Sequence, residues 1–138
     1  MGTRVQLHRV LRLCDPRVTW PWACPTPSQA ELQHLLGTAA EVDAPVAGDG
    51  TAEAHVGRIR YLARCGWEDA IELDVGVPCL GYAGPHWPLT DGNHRLWAAV
   101  LRDDETVEVD VAGQVDHAAR LLGVSEVDII NNRVEYVT

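Results

Sequence analysis

The chain alternates short apolar stripes with polar turns, and the two structural periods can be read along it in sequence. Val5-Gln6-Leu7-His8-Arg9-Val10-Leu11 alternates well enough to predict a first strand, closed by Asp15-Pro16. Val18 to Pro27, with Trp20-Pro21-Trp22 and further prolines, cannot hold a regular helix and reads as an ordered loop packed by its two tryptophans. A helix is predicted to begin at Thr26 or Ser28, where two overlapping segments resemble capping boxes. Leu32, Leu35 and Leu36 form its apolar stripe, and Gly37 ends it. Residues 38–50, rich in Ala, Gly, Pro and Asp, read as a flexible loop.

Beyond that loop the pattern sharpens. Val56, Ile59, Leu62 and Ala63 recur at helical spacing within His55–Cys65, leaving Arg58, Arg60 and Arg64 largely outward, with Gly66 closing the helix. Ile71, Leu73 and Val75 alternate with Glu72 and Asp74, and Val107, Val109 and Val111 with Glu108 and Asp110. Each run predicts a strand with one apolar and one acidic face. Asn93–Arg102 and the stripe Val115, Ala118, Ala119, Leu122 predict two more helices, the latter stopped by Gly123. The tail reads equally as a hairpin about Asn131-Asn132 or as a helix capped by Ser125. Strands alternating with helices give an α/β or α+β class, a small mixed sheet with flanking helices in a single domain.

The densest chemistry lies at Thr90-Asp91-Gly92-Asn93-His94-Arg95-Leu96-Trp97-Ala98-Ala99, where a polar turn opens directly into an apolar helix. Gly92 can take a left-handed backbone that permits close approach, and the first N–H groups of a helix lack carbonyl partners and carry the positive end of its dipole. A phosphate would suit that position, with Arg95 supplying a bidentate grip. The plainer reading is that Asp91 caps the helix and Arg95 pairs with a surface carboxylate. His94 and His86 are the histidines nearest the turn, each readable as a hydrogen-bonding structural residue or as a general base.

This segment resembles the ParB/sulfiredoxin-like superfamily. The resemblance rests on Asp-Gly-Asn-His-Arg followed by Leu-x-Ala-Ala, within the order helix, strand, turn, helix, strand from about Ala52 to Gly123. About half the chain is covered, and residues 26–50 then read as an insertion. The resemblance implies nucleotide or phosphate chemistry, with Gly92, Asn93 and Arg95 binding the ligand and Asp91 and His94 as catalytic candidates. Asn93 replaces the reactive cysteine of sulfiredoxin, which argues against sulfinic-acid reduction. Only Val124 to Thr138 follows the resembling segment, too short for the basic DNA-binding module of a partitioning protein.

Charge narrows the functions further. Eleven basic residues stand against 20 acidic ones, a formal charge of −9, which opposes approach to duplex nucleic acid. Every basic residue is arginine, so lysine-based phosphate loops and Schiff-base chemistry are excluded. No apolar run approaches a membrane span. Cys14, Cys24, Cys65 and Cys79 lack a Cys-x-x-Cys pair and read as reduced, mostly buried thiols of a cytoplasmic protein, with no metal site assigned. Asp91 beside a phosphate is repulsive unless Mg²⁺ bridges them or the carboxylate contacts a hydroxyl or amine of the ligand instead. Two classes of function follow. One is a nucleotide- or phosphate-binding domain, extending to a small phosphotransferase or hydrolase using a nucleotide di- or triphosphate with Mg²⁺. The other is a non-enzymatic module that keeps the fold and binds a protein partner through its acidic face. A metal-dependent nuclease is the weaker third.

Overall fold

The computed structural model describes residues 2–22 and 52–133, together with Ser28, Ala30, Glu31, Gln33 and His34. It is an α/β arrangement, a four-stranded mixed sheet flanked by helices. In chain order the elements are β1 (Thr3–Gln6), α1 (Leu7–Leu13), α2 (Ala52–Cys65), β2 (Ile71–Asp74), β3 (Leu89–Asp91), α3 (Asn93–Leu101), β4 (Thr106–Ala112), α4 (Val115–Leu122) and α5 (Glu126–Asn132). A short 3₁₀ turn, Pro78–Leu80, interrupts the loop between β2 and β3.

The sheet order is β1-β4-β2-β3. The central pair, β2 and β4, is parallel, with Ile71 opposite Val109 and Leu73 opposite Val111, while β1 on β4 and β3 on β2 are antiparallel. The predicted period of two is realised. Val5, Val107, Val109, Val111, Ile71, Leu73 and Leu89 point into one core, where Leu7, Val10, Leu96, Ala99, Ala118, Leu122 and Ile129 meet them from the helices. The alternate positions Arg4, Gln6 and Glu72 are exposed, and Glu108 and Asp110 half-buried, on the other face.

α3 is buried on more than one side. Leu96 and Ala99 face the sheet core, whereas Trp97 and Ala98 pack on Ile59 and Leu62 of α2. That explains why Leu96 to Ala99 carries no polar side chain, since a helix covered on opposite flanks needs apolar residues on both. The packing of α2 on α3 is what brings the two histidines described below together.

One expectation is corrected and one open reading is resolved. The predicted strand Val5–Leu11 ends at Gln6, and Leu7 begins a helix. Leu7, Val10, Leu11 and Cys14 stand at i, i+3, i+4 and i+7, so the same seven-residue run satisfies both periods. The Leu7 N–H donates to Glu105 O at 2.9 Å as the chain leaves β1. Of the two readings of the tail, the structure forms the helix. Asn131 and Asn132 lie in α5, whose start is capped by Ser125 Oγ accepting from the Asp128 N–H at 3.1 Å.

Of the remaining expectations two hold, the burial of the cysteines is corrected, and others fall outside the described residues. Gly123 ends α4 in the left-handed conformation. The Ser28 cap is present, the Glu31 N–H donating to Ser28 Oγ at 3.1 Å. The leucine stripe at 32, 35 and 36, its Gly37 stop and the 38–50 loop lie outside the described residues. The cysteines are not mostly buried: Cys14 is, but Cys65 and Cys79 are exposed, and Cys24 lies outside the described residues. Among the described residues no helix is long and apolar enough to cross a membrane.

Candidate functional site

The pairing of β2 with β3 sets up the turn. Glu72 faces Asp91 and Leu73 faces Leu89, so Thr90 is an extra residue in the register, and its hydroxyl donates to Glu72 O at 3.2 Å. This bulge bends β3 just before the helix. Gly92 follows as the N-cap of α3, with φ of 101°. The Leu96 N–H donates to Gly92 O at 2.8 Å, and no side chain caps the preceding N–H groups. Asp91 is therefore not the cap that the plainer sequence reading made it. Gly92 is required for a reason other than ligand approach: a Cβ there would lie 2.7 Å from Ile71 Cγ2.

Arg95 is already engaged. Its Nη1 donates to Asp69 O at 3.0 Å and to Ala70 O at 2.8 Å, and its Nη2 donates to Asp91 Oδ2 at 3.0 Å. The Arg95 side chain is 15% exposed and that of Asp91 64%. Arg95 thus ties the start of α3 to the segment leading into β2, and the Asp91 to Arg95 pair is the carboxylate partnership of the plainer reading. Asn93 is likewise held, its Oδ1 accepting from Trp87 Nε1 at 2.9 Å.

His94 meets a residue that the sequence did not single out. Its Nε2 lies 2.8 Å from His55 Nδ1, on α2. The ring centroids are 5.0 Å apart with planes 21° from parallel, which with so short a nitrogen contact sets the imidazoles edge to edge. Trp22 lies face-on over both, at 4.3 Å from His55 and 4.5 Å from His94, and Trp20 packs edgewise on Trp22 at 4.7 Å. The predicted tryptophan-packed loop is therefore the roof of a histidine dyad. His86 lies elsewhere, in a cleft with Leu11, Arg12, Thr19 and Trp87.

Burial first, and then the neighbouring His55, Arg58 and Arg95, push the His94 imidazole down to about 4, so it is neutral at pH 7. In the dyad one ring donates its N–H and the other accepts.

The turn, His94, Trp22 and α2 border a polar cleft of about 210 Å³ lined by Trp22, Arg58, Leu62, Thr90, Asp91, Gly92, Asn93, His94 and Arg95, with His55 behind His94. All five sequence-predicted site residues line it. Arg58, expected to point outward, lines it too, with its guanidinium 5.8 Å from the Tyr61 ring centroid. Sequence reasoning missed Trp22, His55 and Arg58 as site residues. The one signal available is the row of helical positions 55, 58 and 62 on α2, of which periodicity by itself assigns Leu62 to the core and Arg58 to the surface.

Asp91 and Arg95 also line a second cleft of about 340 Å³, with Glu68, Asp69, Glu72 and Asp110, so their ion pair separates a polar pocket from an acidic one. A larger cavity of about 510 Å³, lined by Glu72, Thr90, Asp110, Gly113 and Arg133 among others, lies beyond Thr90. Among the described residues no group of three or more His, Cys, Asp or Glu side chains is arranged to hold a metal ion.

Comparison with protein-family models, with curated proteins and with solved structures found no match.

Proposed function

We propose that this protein binds a phosphate-type oxyanion, either free phosphate or the phosphate group of a small phosphorylated compound such as a nucleotide, in the cleft at the start of α3. The observation that carries this reading is the convergence in that cleft of the uncapped first turn of α3 with two guanidinium groups, Arg58 from α2 and Arg95. Helix-start N–H groups and arginines are complementary to the same ligand. Thr90 and Asn93 add neutral polar groups to the lining. The resemblance of the Asp91 to Arg95 turn to that of the ParB/sulfiredoxin-like superfamily supports a phosphate ligand at the same place.

The reading is of binding rather than turnover. Asp91 and His94, the two residues put forward as catalytic, are occupied by Arg95 and His55. Arg58 is the cationic group whose role is left to the ligand, whereas Arg95 holds the turn in place and contributes its field.

Thermal denaturation in the presence of phosphate, sulfate, AMP, ADP and ATP, each with and without Mg²⁺, tests the reading. Stabilisation by at least one of these anions, lost in Arg58→Ala, is expected. Failure of all of them to bind at millimolar concentration in calorimetric titration overturns it.

A protein partner is the second reading, favoured by the acidic face of the sheet, where Glu72 and Asp110 line the two further cavities. A cationic peptide that binds with strong salt dependence, and loses affinity in Glu72→Gln/Asp110→Asn, would support it.

A further inference from the structure

We infer that the compound held in the anion site is a phosphate monoester carrying an amine, its phosphate at the start of α3 and its ammonium group at the carboxylates of Glu72 and Asp110. This rests on the proposed anion site and names the chemical class of its ligand.

The lining of the polar cleft fixes the side on which the ester group of a bound phosphate must leave. Trp22, Arg58, Asn93, His94 and Arg95 are half-buried and Leu62 and Gly92 are buried, whereas Thr90 and Asp91 are exposed. The mouth therefore lies on the Thr90 and Asp91 side. Both ways out lead onto acidic ground. Asp91 also lines the cleft of about 340 Å³ with Glu68, Asp69, Glu72 and Asp110, and Thr90 also lines the cavity of about 510 Å³ with Glu72 and Asp110.

Sheet register sets three of these carboxylates in a row. Asp91 of β3 faces Glu72 of β2, and Glu72 faces Asp110 of β4. Like charges so placed repel across one strand spacing, roughly 5 Å. Arg95, the one cationic residue lining the acidic cleft, is committed to Asp91 and to the carbonyls of Asp69 and Ala70. Arg133 lines the larger cavity, where its Nη2 donates to Gly113 O at 2.6 Å. Among the described residues neither Glu72 nor Asp110 has an ion-pair partner, and Asp110 Oδ1 is buried without a hydrogen-bond donor. An ammonium group brings three donors and one positive charge, which meets the unsatisfied acceptor and offsets the repulsion along the row. A second anionic group on the ligand would add to that repulsion instead. Among the described residues no three such side chains are arranged to hold a metal ion, so the cation that fits is an organic one.

Calorimetric titration of the full chain, with a chelator present to remove divalent cations, compares aminoethyl and aminopentyl phosphate with ethyl and pentyl phosphate and with inorganic phosphate. The two lengths bracket the reach from Asp91 to Glu72 and to Asp110, about one and two strand spacings. At least one amine is expected to bind about tenfold or more tightly than its alkyl control. Glu72→Gln/Asp110→Asn should bring that amine down to the level of the control. If this variant does not fold, the comparison on the unaltered chain still decides the matter. An amine preference that the folded double variant keeps overturns the assignment. Equal affinities of amine and control, or binding of inorganic phosphate with none of the esters, also overturn it and leave the anion site standing. Failure of all five compounds to bind overturns both.

Discussion

Gly92 at the head of α3 lies directly against Ile71 of β2, so close that a methyl group on its α-carbon would meet Ile71 Cγ2 at 2.7 Å and Ile71 Cβ at 3.0 Å. The turn owes its glycine to the strand beneath it and to a φ of 101°, a region that side chains strongly disfavour. Gly92→Ala is accordingly expected to destabilise the protein by about 1–3 kcal/mol from crowding alone, with backbone strain added. Denaturant titration of Gly92→Ala, Ile71→Ala and the double variant measures the crowding: the double variant should be more stable than the sum of the single losses predicts. Additive losses would show that Ile71 is not the obstacle.

Arg95 and Arg58 should separate stability from binding. Arg95→Ala removes the donors to Asp69 O and Ala70 O and leaves Asp91 unpaired, so a stability loss of about 1.5–3 kcal/mol is expected along with weakened anion binding. Arg58→Ala should weaken binding about tenfold or more, roughly 1.4 kcal/mol or above, with a smaller change in stability. Urea midpoints and sulfate titrations on both variants check this. Arg95→Ala as stable as the parent would mean that these hydrogen bonds hold nothing together.

Stability should fall on mild acidification because of the histidine pair. His94 has a folded value of about 4 against its ordinary 6.5, so between these limits the unfolded chain binds more protons than the folded one. Stability is therefore lost as pH drops from about 6.5 to about 4, and this contribution is level outside that window. Urea denaturation at pH 7, 5.5 and 4.5 should show a weaker pH dependence in His94→Gln than in the parent. An identical dependence would remove His94 as its source.

Cys14 should resist thiol reagents in the native state. It is buried, and burial together with Asp15 pushes its thiol up to about 12, leaving almost no thiolate at pH 8. Cys65 and Cys79, both exposed, should label readily. Mass-spectrometric mapping after brief alkylation checks it, with Cys14 modified only once denaturant is added.

The helical tail depends on its cap. Ser125→Ala deletes the acceptor for the Asp128 N–H and should cost about 0.5–2 kcal/mol, while Ser125→Asp should retain most of the stability. Denaturant titration of the two variants distinguishes a cap from an incidental contact.

The amino-acid sequence by itself determined the alternation of β2 and β4, the helix over His55–Cys65, which in the structure begins at Ala52, the helix from 93, the stop at Gly123 and the Asp91 to Arg95 turn. These rest on periodicity and on local backbone chemistry, which act over a few residues. α1 escaped because Leu7, Val10 and Leu11 suit both a strand and a helix, and only the core beneath them chooses between the two. Ser125 and the asparagine pair offered two local solutions for the tail, and the structure adopts the capped helix, with Ile129 buried in the core. The contents of the site were decided by tertiary structure alone. His55 and His94 are 39 positions apart and meet because α2 packs on α3, and Trp22 reaches them from a loop whose sequence indicated packing but not its target. Arg95 read equally as a ligand group or an ion-pair partner, and was resolved by carbonyls of Asp69 and Ala70 that no local pattern could place beside it. A side chain's type limits what it can bond to, but which partner it finds depends on contacts between distant segments, and these form only when the whole core assembles.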